Sequence, residues 1–409
     1  MKTKTINTAL FSFGVVLSII GIPAVALIKI GINQNISTLS VFVQMLSCLL
    51  LFNYRKMFSY KLPTLGFGII LLYLFYTLFL SAISDFPFMQ TPFGFVYQSF
   101  YVLQIIFLWN NVDRVNFHQL SQFLTWCSGI LTLIALFFIV QNFRNTGNFF
   151  FPGLGLDEFG KFVVSRDTIA TSAFITLIII LVNKQWAHSV LWKYLFGLAA
   201  VFVMICSNRR SINGTILLIV IWHFFHGRKK LYKKHLAFFM IQGIFLIGGA
   251  ILAYICIPAI QEILSQSVDS FSNAIGTYFG SNSVWDLSAS YRQERLNTIP
   301  QLYLFDSTFK EFIFGRGYMT DWLDIPYLQA FWDLGLLGGI YFIVIQFILP
   351  LYYIFKKTNI PFIQFAQYYV FLRVMLNFAS GLPYASSFFP LVLLMVLFQV
   401  QKYNDNSSE

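Results

Sequence analysis

Charged residues are scarce in this sequence of 409 residues. They make up 11% of the chain, which has only 16 acidic residues and five histidines. Soluble domains carry about 25% charged residues, so this composition excludes an ordinary water-soluble protein. Hydrophobic residues fill 57% of the chain instead, more than one soluble core can hold. The sequence therefore predicts an all-α, polytopic integral membrane protein with a single transmembrane domain over residues 1–409.

Cysteine and metal-ligating clusters are also nearly absent. All four cysteines lie inside apolar runs and lack the spacing of a metal site; they are Cys48, Cys127, Cys206 and Cys256. The polar loops contain no compact Asp-x-Asp or histidine cluster that would hold a divalent ion. We therefore expect no metal and no other cofactor.

Long apolar runs are the most frequent feature that is present. About 20 residues of helix cross the roughly 30 Å of hydrocarbon in a bilayer, and runs near this length predict about twelve transmembrane helices. They lie at about 8–28, 36–52, 62–84, 93–109, 120–141, 168–182, 190–206, 211–226, 236–257, 327–355, 360–378 and 385–401.

The distribution of charge indicates how these helices are oriented. With the N-terminus inside, the cytoplasmic side receives 16 of the 27 Lys and Arg residues and only three acids, Asp113, Asp405 and Glu409. Cytoplasmic loops collect cations, so both termini are expected in the cytoplasm. The net charge of +11 is then a property of the topology, and it indicates a lipid bilayer rather than nucleic acid as partner.

Two long connections face outward on this topology. The smaller spans residues 142–167, and the larger spans 258–326 between helices 9 and 10. Long loops in compact proteins usually carry function, so we expect the chemistry on the outer face. Within the larger loop, residues 286–305 have helical character, with a capping box predicted from Ser290 to Gln293.

Basic residues concentrate on this outer side. Arg209 and Arg210 emerge from a Ser-Asn-Arg-Arg turn between two apolar helices, and Arg292 and Arg295 share one face of the predicted loop helix. Arg373 lies inside the eleventh span, where an ionisable residue is costly and is a functional candidate.

Simpler interpretations apply to each arginine taken alone. A single arginine at a helix end reaches for lipid headgroups. Arg292 has Glu294 and Asp286 as nearby acids, and Arg373 has Asp333.

Glycines mark the segment that leads into the tenth span. Gly315 and Gly317 flank a turn and would permit close approach of the backbone to a ligand. For Gly335, Gly338 and Gly339 inside the next helix, we expect close helix packing instead.

Taken in order, these motifs resemble those of the O-antigen polymerase and ligase superfamily of bacterial envelopes. The resemblance rests on the Ser-x-Arg-Arg turn, the outer loop with paired arginines, the Gly-x-Gly turn and the Tyr-Leu…Leu-Gly-Leu-Leu-Gly helix entry. It covers about residues 200–345 by motif and the rest by hydropathy alone.

Membership of this family implies transfer of a glycan from undecaprenyl pyrophosphate to an acceptor sugar in the bacterial inner membrane, with the active site on the outer face. Guanidinium groups suit the pyrophosphate. The residues assigned to it are Arg209, Arg210, Arg292, Arg295 and Arg373. A chain-length regulator and a flippase are candidate partners.

The branch of the family is indicated by a missing histidine. Ligases of the family carry a histidine shortly before the Tyr-Leu helix entry, where this chain has Asp324. All five histidines map to the cytoplasmic side. This favours a polymerase of O-antigen, capsule or exopolysaccharide units, with Asp324 as the expected base and Asp321 or Glu294 as substitutes.

The outer aromatic residues and the rival functions complete these expectations. The rings of Tyr318, Trp322 and Tyr327 are expected to stack on sugars. A ligase that transfers glycan to a lipid core remains an alternative. A transporter or flippase of lipid-linked oligosaccharides is a further alternative, which the absence of an internal repeat disfavours.

Overall fold

The apolar runs of the sequence fold into long helices. The computed structural model describes residues 2–32, 38–53, 56, 64–82, 92–147, 154–156, 162–164, 166–183, 190–207, 209, 212, 214–216, 219, 261, 265, 269, 272–273, 276, 287–318, 320–321, 323–356, 358–377, 383–384 and 388–406. Two of the predicted spans, 211–226 for the most part and 236–257 entirely, lie outside these residues. The same holds for Arg210 and Trp322.

The first half of the chain contributes seven helices and one small hairpin among the described residues. The elements are α1 Lys2–Ile32, α2 Thr38–Leu51, α3 Leu65–Ala82, α4 Pro92–Asn110, α5 Phe117–Thr146, β1 Leu154–Leu156, β2 Phe162–Val164, α6 Arg166–Val182 and α7 Val190–Ser207. The strands pair antiparallel, with Leu154 opposite Val164. The fold is thus helical apart from this hairpin, which the sequence did not predict.

The second half begins with two helices that lie within the predicted outer loop. Its elements are α8 Leu287–Phe305, α9 Phe309–Phe314, α10 Pro326–Ile343, α11 Leu349–Ile354, α12 Pro361–Asn377 and α13 Phe389–Asn406. A π-helical turn, Val344–Ile348, joins α10 to α11. α10 begins at a proline, whose missing N–H costs nothing in the first helical turn.

Four of the described helical segments are long and apolar enough to cross a membrane: Asn7–Ile32, Leu65–Ala82, Phe117–Thr146 and Pro326–Ile354. Shorter apolar helices coincide with four more predicted spans, at Thr38–Leu51, Thr168–Val182, Leu191–Ser207 and Phe389–Gln401. These segments make the chain compatible with a membrane-embedded protein. The total of twelve spans stays a prediction.

Helix α5 extends into the segment predicted as the smaller loop. α5 continues to Thr146, where Gly147 ends it with φ 72° and a backbone N–H bonded to the carbonyl of Phe143. Glycine adopts this left-handed conformation without steric cost, which is why it commonly ends a helix. The first residues assigned to the loop 142–167 are therefore helical.

α1 lies at the centre of the helix packing, against α2, α5, α6 and α13. A Cβ on Gly14 would lie 2.8 Å from the Cβ of Leu50, so α1 and α2 approach closely there. Buried polar groups bond between helices. Gln104 donates to the side chain of Gln44 over 2.6 Å, and the hydroxyls of Thr132 and Thr176 are 2.7 Å apart. Such bonds substitute for water inside a membrane protein.

Candidate functional site

Helix ends that the predicted topology places outside meet on one side of the bundle, which we call the outer side. There the end of α3 contacts the loop before α10 and the segment before α13, and Gln98 of α4 donates to the carbonyl of Tyr384 over 3.4 Å. Tyrosine hydroxyls join them by donating to backbone carbonyls, from Tyr73 to Pro383 at 2.7 Å, Tyr76 to Leu334 at 2.7 Å and Tyr318 to Thr77 at 2.5 Å. The predicted outer loop is thus fixed to α3.

The turn at Gly315–Gly317 packs directly on the backbone of α10. The backbone N–H groups of Arg316 and Gly317 donate to the carbonyls of Trp332 and Asp333, both over 3.1 Å. A Cβ on Gly315 would lie 2.1 Å from the Asp333 carbonyl oxygen. Gly315 therefore permits close approach to a helix, where we had expected a ligand.

Gly335 is the matching position on α10. Its φ of 69° interrupts the helical backbone, and a Cβ there would lie 2.3 Å from the backbone nitrogen of Gly315. Only glycine fits this contact of two backbones. The packing role expected for Gly335 agrees with this contact.

Arg292 on α8 forms an ion pair with Asp324 in the segment before α10. Its Nη2 and Nε donate to the same carboxylate oxygen, Oδ2, over 2.7 and 3.1 Å. The two side chains are 21% and 22% exposed, so the pair is accessible from outside. The structure brings together two residues that we assigned separately, one to phosphate and one to proton transfer.

The backbone at Asp324 is unusual as well. Asp324 has a φ of 56° and is the one non-glycine residue with positive φ in the described part of the chain. Aspartate tolerates this region better than most residues. Residues held in such conformations cluster at functional sites, where the surrounding structure sustains the strain.

Asp321 and Asp333 both accept hydrogen bonds from neighbouring side chains. Asp321 accepts a hydrogen bond from the indole N–H of Trp332 over 3.1 Å and remains exposed. Asp333 is fully buried and accepts bonds from the side chains of Gln329 at 2.6 Å, Tyr384 at 2.7 Å and Thr320 at 3.3 Å. Its carboxylate therefore ties α10 to the loop before it and to the segment before α13.

Glu294 and Arg295 lie farther along the first turns of α8. Glu294 is exposed. Arg295 places its guanidinium 4.8 Å from the ring centre of Tyr291, one turn earlier on the same helix. The predicted helix is confirmed, but the predicted capping box is not. α8 already begins at Leu287, so Ser290 lies inside it. Among the described residues of this loop, a capping box is formed by Thr308 and Glu311 instead.

Arg316, in the glycine turn, is a cation that we did not single out from the sequence. Its guanidinium lies 3.8 Å from the ring centre of Trp332, and its Nη2 donates to the Ser307 hydroxyl over 3.2 Å. Trp332 thus contacts Arg316 on its face and Asp321 at its edge. A glycine-flanked arginine was the only signal that the sequence offered.

A second basic group lies at the adjoining ends of α6 and α7. Burial lowers the pKa of Arg166, the first residue of α6, and the nearby charge of Arg209 lowers it further. The charge of Arg209 thus acts on Arg166, although Arg209 follows a different helix. Arg166 was missed because 42 residues separate it from Arg209 in sequence.

Arg373 is buried near the end of α12. Its guanidinium lies 4.1 Å from the ring centre of Phe388, which precedes α13. Four residues later, Asn377 is fully buried, and its side chain has no hydrogen-bond partner among the described atoms. An arginine at this depth is attracted to an aromatic face, so Phe388 is one structural partner of Arg373.

The aromatic residues expected to stack on sugars differ in accessibility. Tyr318 is buried, with its ring centre 3.9 Å from that of Tyr384 and its hydroxyl bonded to α3. This assigns it to the packing of the loop rather than to an open surface. Tyr327, at the start of α10, is half-buried.

This arrangement offers partly exposed arginine side chains, a strained aspartate and a further accessible acid, Asp321. In the described part of the chain, no three His, Cys, Asp or Glu side chains gather as metal ligands would. The chemistry that these groups support is therefore anion binding and proton transfer at the outer ends of helices. No protein-family model, no curated protein and no solved structure matches this chain.

Proposed function

We propose that the protein is a membrane glycosyltransferase that polymerises lipid-linked oligosaccharide repeat units. The observation that carries this proposal is the accessible Arg292–Asp324 pair beside the start of a membrane helix. The pair supports the proposal because a guanidinium can bind an anion and a neighbouring carboxylate can act as a base. On the predicted topology both lie on the side that the positive-inside bias makes poor in cations.

Donor binding would use the arginines of the outer side. Guanidinium groups bind phosphate oxygens bidentately. The charge of Arg209 lowers the pKa of Arg166, and a pyrophosphate bound by both residues would offset that unfavourable charge. Arg292 and Arg295 supply further positive charge from α8, and Arg210 is expected to add to Arg209. Arg373 is expected to act from within the bundle.

Transfer breaks the bond from the anomeric carbon of the growing glycan to the pyrophosphate oxygen. A hydroxyl of the incoming repeat unit attacks that carbon and forms the new glycosidic bond. Undecaprenyl pyrophosphate leaves with the electron pair of the broken bond, and arginines stabilise its growing charge. The hydroxyl proton passes to a carboxylate.

Asp324 is the carboxylate that we assign as base. In the structure Arg292 holds it, and a bound phosphate would compete for Arg292. Once Arg292 turns to the phosphate, the carboxylate of Asp324 can accept a proton from a hydroxyl within reach. Asp321 and Glu294 are the substitutes, and both are exposed.

The test is reconstitution in liposomes with the host's undecaprenyl-pyrophosphate repeat unit, followed by gel separation of the glycans. The intact protein should give a ladder spaced by one repeat unit. Arg209→Ala and Arg292→Ala should abolish it. Lys356→Ala is the matched control, because this lysine follows α11 at the other end of the tenth span and contacts Tyr352.

Other outcomes would direct the assignment elsewhere. If single units stay unextended, a lipid-core acceptor added to the same liposomes tests for a ligase. If glycan is transferred to neither acceptor but units cross the bilayer, the protein is a transporter. A ladder that persists in both arginine variants contradicts the assignment of these residues.

A further inference from the structure

The corner between α8 and α9 exposes four large apolar side chains. The exposed fractions are 61% for Leu304, 81% for Phe305, 82% for Phe309 and 48% for Phe314. We call these residues the corner patch. Burying one such side chain is worth about 1.5–3 kcal/mol, so a patch of four left in water is unfavourable. Patches of this kind mark a surface that something covers.

The position of the corner along the membrane helices indicates what covers it. The carbonyl of Phe314 is 3.3 Å from the hydroxyl of Tyr76, six residues before the end of α3. The glycine turn that follows packs on Asp333 and Gly335, which lie roughly 10–14 Å along α10 from Pro326 at 1.5 Å per residue. The end of α9 is therefore beside the membrane helices, not above them.

The length of the tenth span relates the position of Phe314 to the hydrocarbon boundary of the bilayer. Pro326–Ile354 has 29 residues and so extends roughly 43 Å, against about 30 Å of hydrocarbon. If the span is centred, the hydrocarbon begins roughly 7 Å below Pro326. The carbonyl of Phe314 then lies just inside that boundary.

Exposed apolar side chains continue from the corner patch along both neighbouring helices. Leu337 and Ile340 are exposed on α10, and Phe75 and Phe79 on α3. These side chains belong to candidate spans and face lipid if the spans cross the bilayer. The corner patch would extend this lipid-facing surface to the level of the headgroups.

Polar residues around the corner fit an interfacial position. Lys310 is exposed beside Phe309 and can reach lipid phosphates, as basic residues on interfacial helices do. Asp306 is exposed between the two most exposed phenylalanines, which suits headgroup depth and not the hydrocarbon centre. Gln293 and Asn297, earlier on α8, are exposed as well, so that end of α8 is expected in water.

We propose that the α8–α9 corner is an interfacial membrane anchor, inserted through the corner patch among the acyl chains of the outer leaflet. The anchor fixes the height of α8 and so holds Arg292 near the plane of the lipid phosphates. A phosphate carried by a membrane lipid would then reach Arg292 without leaving the interface.

Spin labels measure this insertion directly. Phe305→Cys and Phe309→Cys are labelled separately in a chain whose four native cysteines are replaced by alanine, in vesicles of phosphatidylethanolamine and phosphatidylglycerol without polyprenyl lipid. Gln293→Cys and Asn297→Cys, on the same helix, are the matched controls. Power saturation with oxygen and with a water-soluble nickel chelate gives the accessibility of each label to lipid and to water.

The expected result is that labels at 305 and 309 relax severalfold more with oxygen than with nickel, whereas the controls show the reverse. Equal nickel accessibility at all four positions would overturn the anchor. If nickel accessibility disappears only after undecaprenyl phosphate is added, an isoprenoid chain and not phospholipid covers the corner patch. Spin–spin broadening at 305 or 309 would assign the patch to a second copy. None of these readouts requires glycan transfer.

Discussion

At the scale of single residues, Asp324 combines a charge with a strained backbone, and substitutions separate the two. Asp324→Asn keeps a side chain that tolerates positive φ but removes the charge. We expect the free energy of unfolding to fall by no more than about 1 kcal/mol, the usual contribution of a partly exposed ion pair. Glycan transfer should fall by about 10²–10⁴, as for loss of a general base.

Asp324→Ala is the companion variant. Alanine at φ 56° adds about 1–2 kcal/mol of strain to the loss of charge. Thermal unfolding in detergent and the liposome ladder measure the two effects separately. Full transfer by Asp324→Asn would assign proton transfer to another group, with Asp321 the next to replace.

Gly335 gives a prediction about stability alone. Gly335→Ala places a Cβ 2.3 Å from the backbone nitrogen of Gly315 in a left-handed conformation. We expect a loss of about 2–5 kcal/mol from strain and overpacking together. Gly68→Ala is the matched control, because a Cβ there meets no atom within 4 Å. Equal melting temperatures for the two variants would contradict the backbone contact.

At the scale of elements, α9 depends on its capping box. Thr308 accepts from the backbone N–H of Glu311, and the Glu311 carboxylate accepts from the backbone N–H and hydroxyl of Thr308. Thr308→Ala should cost about 0.5–2 kcal/mol. The loss should be measurable as faster hydrogen exchange at the backbone N–H of Phe312, which bonds to the carbonyl of Thr308.

The same box makes α9 sensitive to acid. Hydrogen bonds from the Thr308 backbone and hydroxyl lower the pKa of Glu311, and the charges of Arg316 and Lys310 add to this. A lowered pKa means that the carboxylate stabilises the folded state above its ordinary pKa of about 4.3 and that this stability disappears as pH falls through the lowered value. Exchange at Phe312, corrected for its intrinsic rate, should rise in that range and not near neutral pH.

Sequence patterns predicted the positions of helices better than they predicted the contacts between residues. Apolar runs located α3, α5 and α10 because each of these helices is long and apolar enough to cross a membrane. The loop helix α8 was also found, with its start within one residue of the predicted 286. The capping box was assigned wrongly to Ser290 and Gln293, since a Ser-x-x-Gln pattern also occurs inside helices. The burial of Tyr318 depends on α3 and Tyr384, and the role of Gly315 depends on the backbone of α10. No local sequence pattern contains these contacts.

The candidate site was predicted only in part, because its contacts also join residues distant in sequence. Arg292 and Asp324 were both named, yet their pairing joins residues 32 positions apart through the fold. Arg166 and Arg316 were missed because each gains its meaning from a partner distant in sequence, Arg209 and Trp332. The sequence predicted that charged residues concentrate on the outer side. It did not predict which residues they pair with.

At the scale of the whole molecule, the predicted topology assigns each exposed loop to one side. Gln293 and His118 are both exposed, on the predicted outer and cytoplasmic sides. In the cysteine-free chain, Gln293→Cys should react with an impermeant maleimide on intact cells, and His118→Cys only after permeabilisation. Reaction of both on intact cells would contradict the orientation.

The π-helical turn at Val344–Ile348 has a consequence for the face that each part of the tenth span presents. A turn that closes on the fifth residue holds one residue more than an α-helical turn, so side chains beyond Ile348 are rotated by about 100° from where an unbroken helix would put them. Leu351 and Tyr352 are exposed. The extra residue in the π-helical turn therefore determines the face of the helix on which they lie. Deleting a single residue there would turn the end of the span while leaving its composition almost unchanged.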